Sequence, residues 1–471
     1  MLENGFEPDM PAAVGAQLAE LQRNPPCIAP TGDVRDLRHL LWSSIDNDTS
    51  RDLDQLEVAE ALADGAIRIL VAIADVDAYV AKATPIDAHA AKETTTVYTG
   101  VSIFPMLPEP LSTDATSLNE DGDRFAMVID FVVSRDGHVT SSAVYRGVVR
   151  NAAQLTYNAV GAWLEGRGLA PAKLAASAAL EAQLRWQDAA AQALRVERYR
   201  HGALNIETIE TRPVISHGEI TSVEKQDKNR ATELIEDFMI ASNEVVARTL
   251  DAVSSIRRIV RTPKRWDRIV ALAATMGATL PAVADSRALN EFLIARKSAD
   301  PDHFADVSLA VIKLMGPGEY VLERPGDTEA GHFGLAVEDY THSTAPNRRF
   351  ADLVTQRLLK ALLLKQPSPY SDEELGVVAR DCTQKADASR KVERDMSKRI
   401  AAVAMRHRVG ETFDAIVTGA GPKGTFVRVL RPHIEGMLVR GQHGAEVGDK
   451  LRVTLVHTDA DKGFIDFARA N

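Results

Sequence analysis

The segment SIDNDTSRDLDQLE (residues 44–57) gathers Asp46, Asp48, Asp52 and Asp54 into one short stretch ahead of a hydrophobic strand. Clustered carboxylates are hard oxygen donors of the kind that Mg²⁺ and Ca²⁺ take. Several chemistries compete for them. In an EF-hand loop, Asp46, Asp48, Ser50, Asp52, Asp54 and Glu57 would hold ligand positions, but Arg51 stands where the sharp turn needs glycine, and the flanks lack a helical pattern. In a phosphatase, Asp46 and Asp48 would form a D-x-D nucleophile, yet LLWSS before them is a poor buried strand and no partner loop follows. A divalent-metal site for phosphoryl chemistry asks only that carboxylates converge. An acidic surface loop stays open on this segment alone.

A second group of residues narrows the choice. In YTHSTAPNRRFADLVTQRLLK (340–360), Thr344 or Ala345 reads as a helix N-cap and Pro346 as the first helical residue, which places Arg348 and Arg349 in the first turn. Cations there oppose the helix dipole by roughly 0.3–1 kcal/mol unless an anion binds at the same end. The pair therefore points to a phosphate site, with pairing to Asp339 or Asp352 as the alternative. Metal-binding carboxylates and phosphate-binding arginines together describe phosphodiester hydrolysis.

The elements that carry these residues follow from periodicity. AIRILVAIADV reads as a buried strand, and RFAMVIDFVVSRDGHVTSSAVYRGVV as two strands around an Asp-Gly turn. Residues 172–200 are helical, RPVISHGEITSVEKQ is a hairpin, and a long helix covers about 228–251. On that helix Glu233, Asp237, Glu244, Arg248 and Asp251 form a polar face, and Leu234, Phe238, Ala241 and Val245 an apolar one. Glu236 lies on neither; it shares a stripe with Ile240, Asn243 and Ala247, so its carboxylate is expected to be partly buried and to need a partner, unlike Asp237. Helices are expected over 346–364 and about 371–408. Short glycine-separated β-runs over 411–471 read as a small barrel.

Composition sets outer bounds. The 471 residues allow two to four domains at roughly 100–200 residues each. With 45% hydrophobic and 26% charged residues the chain is an ordinary globular one rather than disordered or collagenous. Two cysteines exclude a disulfide framework and fit a reducing cytoplasm. No signal pattern or membrane-length apolar run occurs, so a soluble cytoplasmic protein without a membrane partner is expected. The net charge of −11 argues against nucleic-acid binding by bulk charge, but basic clusters at 225–230, 257–265, 347–349 and 390–408 leave room for a locally positive channel. Solvated helix faces are the plainer reading of any one cluster.

Over roughly 37–408 the chain resembles the ribonuclease II / ribonuclease R (RNB) exoribonucleases. The resemblance rests on five motifs in family order: IDNDTSRDLDQ with VAIADV, TTVYTGVSIFPMLPEPLSTDATSLN, LTYNAV, LIEDFMIASN, and HFGLAVEDYTHSTAPNRRFADLVTQRLL. The tail, with GTFVRV, EGMLV and VGDKLRV, resembles an S1-type OB-fold RNA-binding domain. The resemblance implies an α+β fold with three parts: a short N-terminal extension (1–36), a catalytic domain of mixed and antiparallel sheets with packed helices (37–408), and an OB-fold barrel (409–471). It implies a 3′-to-5′ exoribonuclease that releases nucleoside 5′-monophosphates from single-stranded RNA. Asp46, Asp52 and Asp54 match three of four active-site aspartates that hold Mg²⁺, or equally Mn²⁺, with Asp54 the one most tied to catalysis. Arg348 matches the arginine that grips the reacting phosphate. Tyr98 matches a tyrosine packed on the last nucleotides, and Tyr157 with Glu236 the pair that holds the 3′ end and its ribose, where a 2′-OH would distinguish RNA from DNA. In the barrel, Phe426, Arg428 and Lys423 are candidates for stacking and charge, with Phe426 equally open to a core role.

Three departures accompany the resemblance. Gln55 occupies the fourth acidic position; its amide oxygen can ligate a metal but brings no charge. Ile206 stands where many members carry a phenylalanine that sandwiches the terminal base, an interaction worth about 1–3 kcal/mol. The 36-residue head has no room for the usual pair of cold-shock domains. One active site per chain needs no second copy, so a monomer is expected. The rivals are a catalytically weakened RNA-binding protein, with Gln55 marking a decayed site, and a small-ester phosphatase acting through Asp46.

Overall fold

The computed structural model describes residues 1–301, 303–327, 331–422 and 424–470. After α1 (Ala12–Arg23) the chain lays down β1 (Val34–Asp36), β2 (Trp42–Asp46), β3 (Gln55–Ala61) and β4 (Ile67–Ala74). Helix α2 (Pro85–Glu93) leads to a ribbon of β5 (Val97–Tyr98) and β6 (Ile103–Phe104), then to the long hairpin β7 (Asp123–Val133) and β8 (Val139–Thr156). Six of these strands form one sheet in the order β1-β8-β2-β3-β4-β7, and β7 pairs back onto β8. Strand β8 is long enough to bond β7 along its first half and β2 along its second, so strands β2-β3-β4-β7-β8 close into a ring. The hairpin turns at Gly137, whose φ of 92° suits glycine and whose absent Cβ would meet the Ala193 carbonyl at 2.2 Å.

Helices α3 (Tyr157–Leu164), α4 (Ala172–Ala175), α5 (Ala178–Arg200) and, after the β9 (Glu210–Ser216) and β10 (Glu219–Gln226) hairpin, α6 (Arg230–Thr249) follow. Asn229 caps α6 by accepting from the Ala231 and Thr232 amides while Thr232 returns a bond to the Asn229 amide. Leu234, Phe238, Ala241 and Val245 are buried as the apolar stripe requires, and Phe238 meets Phe131 of β7 edge-on at 6.4 Å. Burial of such a side chain stabilises by about 1.5–3 kcal/mol.

Two expectations on these helices are corrected. Asp237 is buried, not solvated, because α5 covers the polar stripe of α6 with Arg195 and Arg198, which clamp its carboxylate at 2.7 and 2.5 Å. Glu236 is the exposed one, with 46% of its side chain accessible.

Strand β11 (Ser255–Ile259) pairs with β12 (Glu319–Glu323), and α7 (Trp266–Thr275), α8 (Ser286–Ala299) and α9 (Phe304–Met315) build a satellite core between them. In the basic cluster here Arg257 is buried against Asp251 and Glu323, and Arg258 lies over the Tyr320 ring. Helix α10 (Phe350–Leu363) starts four residues later than its proline predicts. Arg348 and Phe350 are drawn into strand-like pairing with Thr94–Thr96: the Thr96 amide donates to the Arg348 carbonyl at 3.0 Å and the Phe350 amide to Thr94 at 2.8 Å. Both arginines therefore precede the helix, with Arg349 as its N-cap residue.

The 34-residue α11 (Asp372–Met405), started by a Ser371/Glu374 capping box, leads to the C-terminal barrel. There β13 (Thr412–Gly421), β14 (Gly424–Val429), β15 (Ile434–Arg440), β16 (Lys450–Asp459) and β17 (Phe464–Arg469) close in the order β13-β14-β15-β17-β16. This is an OB-type barrel around its own core. Among the described residues no helix is long and apolar enough to cross a membrane.

Candidate active site

Strands β2 and β3 are antiparallel, so the end of one and the start of the other lie at the same edge of the sheet. Asp46 ends β2, Asp54 immediately precedes β3, and the loop between them carries Asp52. Parallel pairing of Asp46 with Thr156 brings Tyr157, the next residue of the chain, to the same edge. Sheet topology alone therefore converges three carboxylates and a phenol.

Asp54 is the centre of the cluster. It is 2% exposed; its Oδ2 accepts from Arg348 Nε at 3.1 Å and its Oδ1 from the Asn347 amide at 3.3 Å. Asn347 is itself fixed by the Thr116 hydroxyl, which donates to its Oδ1 at 2.5 Å. Burial pushes the Asp54 carboxyl up to about 6, against the pull of Arg348 and with a further push from Asp52. Asp46 is raised by burial as well, although Ser50 Oγ and the Asn47 amide donate to its Oδ1 at 2.8 and 2.7 Å. The Tyr98 hydroxyl donates to Asp52 Oδ2 at 3.3 Å. Burial, Asp46 and Glu57 raise the Tyr157 phenol, and Arg348 opposes them. Arg348 is thus the cation shared by Asp46, Asp54, Tyr98 and Tyr157, and 45% of its side chain is open to solvent and to an incoming anion. Arg349 is not available in this way: Asp352 holds its guanidinium at 2.9 and 2.7 Å, the pairing foreseen as the alternative. Asp48 turns aside to Asn158, whose Nδ2 donates to it at 2.6 Å.

Gln55 opens β3 as a buried residue in register with Ile73. Among the described residues no three Asp, Glu, His or Cys side chains are gathered tightly enough to hold an ion. The donors still fit a hard divalent cation. All are oxygen ligands, and Asp52 repels both Asp46 and Asp54.

A cavity of about 800 Å³ is walled by α6, the β9–β10 hairpin, the segment 203–210 and the barrel, and none of Asp46, Asp52, Asp54, Tyr98, Tyr157 and Arg348 lines it. Glu236 and Ile206 line it, together with Lys225, Lys228, Arg431 and Lys450. Lys228 Nζ donates to Glu236 at 2.7 Å, supplying the partner that its carboxylate was expected to need. The cavity wall and the cluster share a joint, because Asn229, the cap of α6, donates from Nδ2 to the Tyr157 carbonyl at 3.1 Å. Phe426 is half-buried on β14 and outside the barrel core. Arg428, which also lines this cavity, is tied to Asp306 of α9 at 2.5 and 3.0 Å and so docks the barrel on α9. Lys423 lies outside the described residues.

Sequence reasoning gave Asn347 and Lys228 no role beyond membership of basic segments and named Glu57 only as an EF-hand ligand position. The readable signal for Glu57 was a glutamate inside the apolar strand QLEVAEA, on the same face as Gln55 by the period of two.

Residues 34–365 match the RNB domain. The chain belongs to the RNB family. Residues 411–470 match the RNase II-type exonuclease C-terminal S1 domain. Relatives of the RNB chain include ribonuclease R of Vibrio parahaemolyticus, 29% identical over 91% of this chain and 52% of the relative. Ribonuclease R of Escherichia coli is 28% identical over 97% of this chain and 60% of the relative. The chain thus spans a little over half the length of these curated relatives. In fold it is similar to Mycoplasma genitalium RNase R solved with ribose-methylated single-stranded RNA: the TM-score is 0.88 at 21% identity, covering all of this chain and 77% of that one.

Proposed function

We propose that the chain is a 3′-to-5′ exoribonuclease that shortens single-stranded RNA to nucleoside 5′-monophosphates. The observation that carries this reading is the Asp54–Arg348 contact inside the carboxylate cluster. It couples a site for hard cations to an accessible guanidinium placed for a phosphate. The 3′ end would enter past the cavity walled by α6, the β9–β10 hairpin and the barrel. Lys225, Lys228, Arg431 and Lys450 would offset the phosphates there, and Glu236 from the cavity wall and Tyr157 from the cluster edge would take hydrogen bonds from the terminal ribose. Tyr98 would pack on the last nucleotides while its hydroxyl holds Asp52 in place. Ile206 would give the terminal base an apolar contact without an aromatic face.

When bound by Asp46, Asp52 and Asp54 with the Gln55 amide, Mg²⁺ or Mn²⁺ would supply Lewis-acid activation of water and neutralise phosphoryl charge. Arg348 would swing its free nitrogens onto the phosphoryl oxygens as negative charge grows there. Asp54, buried and held by the Asn347 amide, would orient that guanidinium. Phe426, half-buried on the barrel, would add a stacking face for upstream bases. Every group named comes from one chain, so a monomer suffices. The two cysteines, Cys27 and Cys382, are free thiols, which suits a reducing cytoplasm.

The test is digestion of 5′-labelled single-stranded RNA and matching DNA with Mg²⁺, using the native chain and Asp54→Asn. RNA shortened to a small labelled product, with DNA spared and the variant silent, is the expected result. Tight RNA binding without turnover in both proteins would instead mark a binding protein. Hydrolysis of a chromogenic phosphomonoester without regard to polymer length would mark a phosphatase.

A further inference from the structure

Ser343, Thr344, Ala345 and Asn347 are buried, yet they belong to no helix or strand. Their polar groups must therefore find partners outside any regular ladder, and those partners fix the stretch step by step. The Thr341 hydroxyl donates to the Ile256 carbonyl of β11 at 2.6 Å, the Ala345 amide to Asp352 Oδ1 at 2.8 Å, and the Arg348 amide to the Ala345 carbonyl at 3.2 Å. Between these ties stands Ser343, which is held from α6. Asn243, 2% exposed, does this with one side chain. Its Oδ1 accepts from the Ser343 amide at 2.8 Å and from the Ser343 hydroxyl at 2.9 Å, and its Nδ2 donates to the Tyr340 hydroxyl at 3.2 Å. A buried amide is costly unless it is bonded, and here both its oxygen and its nitrogen are. Asn243 shares a stripe of α6 with Glu236, two turns earlier and about 10 Å away along the axis. One helix carries both the carboxylate read as the ribose acceptor and the amide that ties down the stretch leading to Arg348.

We propose that Asn243 is a positioning residue: through Ser343 it sets where Arg348 stands relative to Asp54 and to Glu236. It acts through the backbone between Ser343 and Arg348 and not by touching the substrate. The inference rests on the exoribonuclease reading for what Arg348 grips, but draws the role of Asn243 from this chain's own hydrogen bonds. Without Oδ1 the Ser343 amide and hydroxyl are left buried and unpaired. The stretch regains partners for them by shifting, and Arg348, five residues on along an irregular backbone, shifts with it. A misplacement of about 1 Å at a reacting group slows chemistry by about 10²-fold.

Single-turnover cleavage of 5′-labelled single-stranded RNA with Mg²⁺, alongside RNA affinity measured in chelator, tests this on the full chain. Five proteins are compared: native, Asn243→Leu, Asn243→Asp, Arg348→Lys, and Asn243→Leu with Arg348→Lys. Leucine is close in size to asparagine and has no polar atom, whereas aspartate keeps an acceptor for Ser343. Asn243→Leu is expected to cleave about 10²-fold more slowly with RNA affinity nearly unchanged, and Asn243→Asp to recover most of the rate. On the Arg348→Lys background the leucine should cost no more than about twofold further, because both changes disturb the same group. A native rate in Asn243→Leu overturns the proposal, as does an absence of recovery in Asn243→Asp. A full further loss on top of Arg348→Lys overturns it too, since Asn243 would then act independently of Arg348. If Asn243→Leu does not fold, Ser343→Ala, which removes one of the two bonds to Oδ1, replaces it in the same cycle and is judged by its rate on the native and Arg348→Lys backgrounds. If the native chain leaves RNA intact, the exoribonuclease reading falls and takes this one with it. If the native chain digests RNA and Asn243→Leu matches it, only the role of Asn243 is refuted.

Discussion

Replacing Asp54 by asparagine should abolish turnover and at the same time stabilise the metal-free protein. An ordinary aspartate titrates at 3.8, and burial holds Asp54 at about 6 in the folded chain. At about 1.4 kcal/mol per pH unit, the ionised group costs the fold on the order of 3 kcal/mol. Asparagine removes that cost. The pull of Arg348 is already contained in that raised value, so the net gain is about 3 kcal/mol. Because the folded pKa is raised, the folded chain holds a proton that the unfolded chain has lost between pH 4 and 6. Native stability therefore falls as pH rises through that window, and the penalty is complete above it. Thermal melts in chelator should coincide for the two proteins near pH 4 and separate by a few degrees at pH 8, with Asp54→Asn the higher. An Asp54→Asn melt at or below the native one at pH 8, or a gap that does not change with pH, would refute the reasoning. Saturating Mn²⁺ should narrow the gap by stabilising the native chain more than the variant.

Other perturbations read other parts of the site. Arg348→Lys should lower kcat by about 10²–10³ with RNA affinity nearly intact, since a compact ammonium cannot serve Asp54 and a phosphate together; single-turnover rates check this. Ile206→Phe should strengthen the hold on the 3′ end by about 1–3 kcal/mol and leave a shorter end product, visible on a sequencing gel. Glu236→Ala frees Lys228 and removes an acceptor for the ribose, so the ratio of RNA to DNA binding in a filter assay should fall. Arg428→Ala leaves Asp306 unpaired and should raise hydrogen exchange in β14 and α9 while the central sheet is unchanged.

Fold and family were largely legible in the chain. Gly137 marked the β7–β8 turn, alternating apolar runs marked β4 and the barrel, and the spacing of Leu234, Phe238, Ala241 and Val245 marked the buried stripe of α6. These features depend on neighbours within one turn or one strand, where backbone geometry gives a fixed period. Errors came where a distant element intervened. Pro346 is a sound helix-start signal, yet the strand-like pairing with Thr94–Thr96 outcompetes the first turn and delays α10 to Phe350. The polarity of Asp237 argued for solvent, but Arg195 and Arg198 of α5 make burial tolerable by matching its charge.

The sequence by itself therefore determined β4, the β7–β8 and β9–β10 hairpins, the long helices α5, α6 and α11, the closing barrel, and the presence of Asp46, Asp52 and Asp54 within one loop and its flanks. Only the tertiary structure decided that Arg348, 294 residues further on, meets Asp54, that Arg349 is occupied by Asp352, and that Glu57 is buried with no hydrogen-bond partner among the described residues. The physical reason is that periodicity reports which face of an element is apolar. The partner that satisfies a buried charge is set by which elements pack together, and no local pattern carries that pairing.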